Sequence, residues 1–303
     1  MNNLYGFPNL PKAGLGNMLL PWADCLLWCK DFDANMISPF WYKLRIGPII
    51  RNERDKRMYS QCFNSSGQIT GLRRLFLLAF SKLESAEKWR EGGHRTKIEK
   101  KTVVSFSDMN CFHQLVGRQA EVADGLRRII NPEYFPAGLD GKKFVGIHVR
   151  LGDYPQQLIH EGSKMVNYRL PLEWYSACLL EIRQALGTEV AAVVFSDGND
   201  NELAPLLNLP HVHRSPFKKA ITDMLALSKA SIIVTSRSTF SLWGVYLGQV
   251  PSIWYPPKKE IFGDELIKNE EGIQSEIEWM IGDSLPDNFI YAVKKRMESI
   301  APS

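Results

Sequence analysis

The sequence predicts an α/β protein of two domains, the second built on a parallel sheet with both faces covered. Three observations carry this. The 303 residues exceed what a single hydrophobic core usually serves. From Lys143 onward, short β-rich runs alternate with stretches of helical length, and that alternation builds parallel sheets. The chain is 45% hydrophobic and 23% charged, an ordinary globular balance that excludes a disordered or fibrous class.

In chain order, Leu4 onward reads as a strand or loop, then a glycine turn at Gly14-Leu15-Gly16-Asn17, then a helix from about Met18. Pro21 falls in the first turn of that helix, where its missing N–H does no harm. Leu19, Leu20, Trp22, Cys25, Leu26, Leu27 and Trp28 make the helix apolar nearly all round, so it is buried, with Asp24 as the exception. Residues 31–70 are irregular. A second helix is predicted over Gly71–Trp89, with Leu72, Leu75, Phe76, Ala79 and Leu83 at helical spacing. Its wide apolar face suits burial between domains better than a place on a bilayer. A polar stretch from Glu91 to Lys101, a strand over Thr102–Phe106 and a helix from Gln114 to Ile130 close the first half.

In the second half, strands are predicted at Lys143–Val149, Val190–Phe195, His211–His213, Ser231–Thr235 and Val250–Tyr255. Helices are predicted at Pro171–Leu186, Lys218–Lys229 and Phe240–Gly248, with a last helical stretch from about Gly272 to Ile300 that could pack back on the first domain. The Pro- and Gly-containing segment from Asn131 to Asp140 divides the chain into domains 1–138 and 139–303.

The formal charge of +4 comes without any block of like charges, which gives no footprint for nucleic acid. Five cysteines, Cys25, Cys29, Cys62, Cys111 and Cys178, are odd in number and irregularly spaced, and read as buried thiols in a reducing compartment. No stretch approaches the roughly 18 apolar residues of a spanning helix. The expectation is a cytoplasmic protein, with peripheral contact to the inner face of a membrane left open.

In open parallel sheets, ligands bind outside the carboxyl ends of the strands. Three predicted strands run straight into polar residues there. In Phe144-Val145-Gly146-Ile147-His148-Val149-Arg150-Leu151-Gly152-Asp153, His148 and Arg150 share a face, and an arginine fork suits a diphosphate. An Arg150–Asp153 ion pair is the plainer alternative. In Phe195-Ser196-Asp197-Gly198, Asp197 could accept from a base or ribose, or could cap a helix beginning near Asn201. After Ile232-Ile233-Val234, five hydroxyl residues sit between Thr235 and Ser241, ahead of a short helix. Capping needs only one of them, and hydroxyls at a helix N-terminus make an anion site.

These segments, with the Gly14-Leu15-Gly16-Asn17 loop, resemble in order and spacing the inverting α-1,2-fucosyltransferases of glycosyltransferase family 11. More loosely they are similar to the group that includes α-1,6- and protein O-fucosyltransferases. The family's motifs are His-x-Arg-Arg-Gly-Asp-Tyr, then Phe-Ser-Asp, then a Ser-Ser-Phe-Ser-Trp-Trp-like segment. This chain has His148-Val149-Arg150-Leu151-Gly152-Asp153-Tyr154, Phe195-Ser196-Asp197 and Ser238-Thr239-Phe240-Ser241-Leu242-Trp243. It departs at Leu151 (Arg in the family), Met18 (Gln) and Leu242 (Trp).

The resemblance implies a GT-B-like pair of Rossmann-like domains with the donor site on the C-terminal one. It implies an inverting, metal-independent transfer of L-fucose from GDP-fucose to a glycan hydroxyl, the 2-hydroxyl of a galactose-like residue. Arg150 would bind the β-phosphate, and His148 and Asp197 would face the guanine nucleoside. Ser238, Thr239 and Phe240 would hold the phosphates, with Gly14, Gly16 and Asn17 approaching from the other domain. Asp153 and Asp24 are the candidates for the general base. Another GDP-sugar at the same site, or a binding protein without catalysis, are the rival readings. Asp31-Phe32-Asp33 has the D-x-D form that chelates a metal in other glycosyltransferases, but it follows a helix and not a central strand.

Overall fold

The computed structural model describes residues 3–42, 55, 58–92, 100–109, 112–152, 154–155, 168–258, 263, 266–267 and 271–300. The chain divides into two compact units, Met1–Arg45 with Arg57–Tyr134, and Ile46–Lys56 with Phe135–Ser303.

The first unit contains β1 (Leu4–Pro8), α1 (Leu15–Asp31), β2 (Asn35–Met36), α2 (Gly71–Phe80), β3 (Lys82–Ser85) and α3 (Ala86–Glu91). β4 (Thr102–Phe106), α4 (Phe112–Leu115) and α5 (Gln119–Ile129) follow. Its sheet runs β2-β1-β4-β3, and every pairing is parallel. From β1 the chain first builds outward to β2, then crosses to the far side for β3 and β4. The strand order therefore reverses between β1 and β4, where such sheets open a crevice at their carboxyl ends.

Three local readings change here. α1 begins at Leu15, so Gly16 and Asn17 are in its first turn and Pro21 lies inside it. Proline has no N–H to give the carbonyl of Asn17, and the helix carries that loss because Trp22, Cys25 and Leu19 are fully buried. The stretch 71–89 is not one helix. Ser81 turns extended, Lys82–Ser85 pairs in parallel with β4, and the Ser85 hydroxyl caps α3 by accepting from Lys88 N at 3.3 Å. Sheet pairing overrides helical spacing there. The apolar face expected between domains is exposed: Leu72 is 85% and Phe80 75% accessible. The helix predicted from Gln114 breaks at Gly117, whose φ of 82° admits glycine far more readily than other residues.

The second unit holds β5 (Val145–Val149), α6 (Leu172–Leu186), β6 (Ala192–Ser196), α7 (Ala204–Leu207), β7 (Val212–Arg214), α8 (Ala220–Leu227), β8 (Ile232–Val234), α9 (Thr239–Gly248), β9 (Ser252–Trp254), β10 (Glu276–Glu278) and α10 (Asp287–Ser299). The sheet order is β10-β9-β8-β5-β6-β7, all parallel. β5 comes first and lies centrally. The next two strands add on one side and the last three on the other, which is the doubly wound Rossmann order with its reversal between β5 and β8. Gly187 ends α6 with a left-handed φ of 64°.

Gly272–Ile300 was expected to be helical, but Glu276–Glu278 adds a strand to the sheet edge and the helix starts only after Pro286. Buried Glu276 fixes that edge. Its carboxylate pairs with Lys258 Nζ at 2.8 Å and accepts from Leu266 N at 2.5 Å and Ile267 N at 3.0 Å. Phe289, Ile290 and Val293 of α10 join the core of the second unit, with Trp174, Leu179 and Ile253. Arg296 donates to the carbonyls of Ala230, Gly248 and Ser228 at 2.9, 2.8 and 3.2 Å. Among the described residues no helix is long and apolar enough to cross a membrane.

Candidate functional site

The carboxyl ends of β8, β5 and β6 are adjacent, so the three polar segments picked out in the sequence meet at the point where the strand order reverses. Arg150 leaves the end of β5 only partly covered, its side chain 19% accessible. It pairs with Asp197 at the end of β6, with Nη1 to Oδ2 at 2.5 Å. Oδ1 of the same carboxylate accepts from Leu151 N at 2.9 Å and Gly152 N at 3.2 Å. Asp197 thus binds the loop that carries Arg150. It does not cap the next helix; Asn199 and Glu202 exchange side-chain to backbone bonds there, both at 2.9 Å.

Two glycines let these loops close on each other. A Cβ on Gly152 would collide with Oδ2 of Asp197, and one on Gly198 would collide with the Leu151 side chain. Leu151, where the related motif has arginine, is 4% accessible and belongs to the core of the second unit. Arg150 is therefore the cation that this loop presents. Its guanidinium also lies 5.2 Å from the Tyr154 ring, and the Tyr154 hydroxyl donates to the Arg237 carbonyl at 2.9 Å.

His148, one strand position inward on the same face, is buried. Its Nδ1 shares hydrogen bonds with Ser241 Oγ at 2.7 Å and Ser236 Oγ at 2.8 Å, and its ring stacks on Phe240 with centroids 4.6 Å apart. Burial, reinforced by the neighbouring Arg150 charge and opposed by Asp197, pushes the imidazole down to about 3, so it is neutral at physiological pH. A neutral imidazole fixed by two hydroxyls is a hydrogen-bonding platform rather than an acid or a charge.

Ser238 is the N-cap of α9, with Oγ accepting from Phe240 N at 3.2 Å. Ser238, Thr239 and Phe240 are half-buried, and the helix carries no acid in its first turn. Its N–H groups and positive dipole end are suited to an anion. The other hydroxyls of the cluster have separate work: Ser236 and Ser241 hold His148, and Thr235 Oγ1 donates to Ile253 O at 2.9 Å.

Sequence reasoning missed Arg237. It is buried in the β8–α9 loop, stacked over Tyr168 at 4.4 Å and Tyr255 at 5.5 Å, and it donates to Pro256 O at 2.5 Å. Nothing in its local sequence separates it from an exposed turn arginine, because its partners come from distant segments.

In the first unit, Gly14 is the N-cap of α1 and its side-chain-free position leaves the cap unfilled. Gly14, Gly16 and Asn17 follow β1, at that sheet's own reversal point. Among the described residues, Asn17 Oδ1 is buried and meets no hydrogen-bond donor. Asp153 lies outside the described residues. Asp24 is inside α1, paired with Arg90 at 2.5 Å and held above its ordinary range by burial against the opposing pull of Arg90. With Trp28, Trp89, Asp31 and Arg118 it lines a pocket of about 270 Å³. Asp31 of the D-x-D string accepts both arms of the Arg118 fork at 2.6 and 2.8 Å. Among the described residues, no three of His, Cys, Asp and Glu are grouped to hold a metal.

No known protein family matches the chain. No curated protein matches it either. Among solved structures it is similar to the NodZ α-1,6-fucosyltransferase soaked with GDP-fucose, with a TM-score of 0.51 at 16% identity over 84% of this chain and 95% of that one. The same enzyme co-crystallised with GDP gives 0.50 at 17% identity over 82% and 94%. At such identity the likeness is one of fold, and the fold is the expected GT-B-like α/β architecture.

Proposed function

We propose that this chain is a fucosyltransferase that moves L-fucose from GDP-fucose to a glycan hydroxyl with inversion. The observation that supports it most is the meeting of Arg150, the α9 N-terminus and the neutral His148 at the strand-order reversal of a Rossmann-type sheet. Two of the solved structures similar in fold are of a fucosyltransferase, one co-crystallised with GDP and one soaked with GDP-fucose.

In this reading the acceptor hydroxyl attacks the anomeric carbon as the bond to the β-phosphate oxygen breaks. The departing GDP gathers negative charge, met by Arg150 and, at the α9 N-terminus, by the Thr239 N–H and the hydroxyls of Ser238 and Thr239. Preorganised donors of this kind are worth roughly 3–4 kcal/mol each. The Ser238 and Phe240 N–H groups are given to Ser236 O at 2.8 Å and Ser238 Oγ at 3.2 Å and would have to turn from them to join. Gly14, Gly16 and Asn17 would approach the diphosphate, His148 would brace the nucleoside side, and Asp197 would aim Arg150 as a positioning residue. Asp153 remains our candidate for the base. We assign the acceptor as the 2-hydroxyl of a galactose-like residue. We place the protein in the cytoplasm, a setting in keeping with the burial of Cys25, Cys29, Cys62 and Cys178.

Arg150→Ala is the decisive variant, expected to cut turnover by about 10²-fold or more. Near-normal turnover in a folded variant sinks the assignment. GDP should raise the melting temperature where UDP does not, by mass action on the native state. Acceptor-dependent release of GDP separates an enzyme from a binding protein, and linkage analysis of the product tests the 2-hydroxyl. A different GDP-sugar is the second reading, supported by the core placement of Leu151; transfer of that sugar in preference to fucose would establish it.

A further inference from the structure

Soluble helices turn their apolar stripe inward. In α2 the outward face is apolar as well. Leu77 is 2% accessible and Arg74 8% on the inner side, while Leu72, Leu75, Phe76 and Phe80 are 85%, 56%, 51% and 75% accessible. With Ala79 these positions follow the i, i+3, i+4, i+7, i+8 rule, so they form one stripe. The Phe76 and Phe80 rings lie 5.0 Å apart, and exposed Leu83 continues the surface at the start of edge strand β3. Monomeric proteins rarely expose a contiguous patch of this kind without using it.

Two exposed cations, Arg73 and Lys101, stand on the rim of the stripe. α2 contains two arginines and no acidic residue. Arg73, three residues before Phe76 and seven before Phe80, is exposed on its rim. On another side, Lys101 is exposed with Nζ 5.4 Å from the Phe76 ring. Lys82 adds little, since Glu84 holds it at 2.5 Å. An apolar stripe rimmed by cations matches a bilayer surface bearing anionic headgroups, where the rings enter the acyl boundary and the cations meet phosphate.

We propose that the exposed face of α2, with Leu83, is a docking surface for an anionic lipid membrane. The surface would hold the protein at a bilayer, where a lipid-anchored acceptor is delivered in two dimensions. The inference rests on α2 itself and stands whichever sugar is transferred.

The test is co-sedimentation of the full chain with vesicles of phosphatidylcholine, with and without phosphatidylglycerol. The wild type should bind the anionic vesicles, and less so as salt is raised. Phe76→Ser with Phe80→Ser should weaken binding by more than about tenfold, from the apolar area withdrawn. Arg73→Gln with Lys101→Gln should weaken it about fivefold per charge on anionic vesicles and leave neutral ones unchanged. All four side chains are at the surface, and unchanged melting curves check that the variants fold. Absence of vesicle binding overturns the proposal, as does equal binding to neutral and anionic vesicles. A soluble dimer by sedimentation velocity, dissociated by the phenylalanine variants, would also overturn it in favour of a second copy as the occupant.

Discussion

Gly152→Ala isolates the contact that aims Arg150. The three heavy atoms nearest to a Cβ built on Gly152 all belong to the Asp197 carboxyl group. The carboxylate must therefore move, and whichever way it turns it strains its bonds to Leu151 N and Gly152 N or its pair with Arg150. Overpacking typically costs about 1–3 kcal/mol, and weakening one charge-assisted bond adds to it, so we expect about 2–3 kcal/mol. For a chain of this size that lowers the melting temperature by roughly 4–10 °C. In an Asp197→Ala background the colliding atoms are gone, and the same substitution should cost less than about 0.5 kcal/mol. Denaturant unfolding of the four proteins in the cycle measures the coupling. Turnover supplies a second readout, since a displacement of about 1 Å at Arg150 is worth about 10²-fold. An equal cost of Gly152→Ala in both backgrounds would refute the reasoning.

Three further outcomes follow from the electrostatics. The folded His148 stays neutral down to about 3, whereas the unfolded residue takes a proton near 6.5. Between those values the unfolded chain binds the extra proton, so stability should fall by up to about 1.4 kcal/mol per unit as pH drops from about 6.5 towards 3; His148→Gln should remove that component in pH-dependent unfolding. Arg90→Leu takes away the cation that opposes the burial-driven rise of Asp24, so the variant should lose stability more steeply than wild type as pH climbs above the ordinary 3.8 of an aspartate; parallel slopes would contradict this. Because Arg150 and the α9 N-terminus are proposed to meet the diphosphate charge, excess EDTA should leave turnover unchanged, and loss restored by added Mg²⁺ or Mn²⁺ would require a metal.

The second sheet was readable from sequence because its strands are buried on both faces and announce themselves as short apolar runs. The run Ile232-Ile233-Val234 into hydroxyl residues marks both a strand and its functional end. β3 was not readable: Lys82-Leu83-Glu84-Ser85 continues a helical spacing, and only its register with Thr102–Ser105 makes it a strand. β10 was hidden for the same reason. The site followed the same division. Arg150 and Ser238 were visible at strand ends, but the pairing of Arg150 with Asp197 depends on which strands are neighbours. The buried hydroxyl partners of His148 and the stacking of Arg237 are equally products of tertiary contact.

Every strand pairing described in either sheet is parallel, and this shapes how the protein reaches its fold. With no hairpin among the described strands to form early, each pair waits for a crossover to close, so contacts distant in sequence must be made before these ladders grow. Refolding from denaturant should be slow, and its intermediates should show unpaired strand edges prone to association. Low temperature and low protein concentration are therefore the conditions under which recovery should be highest.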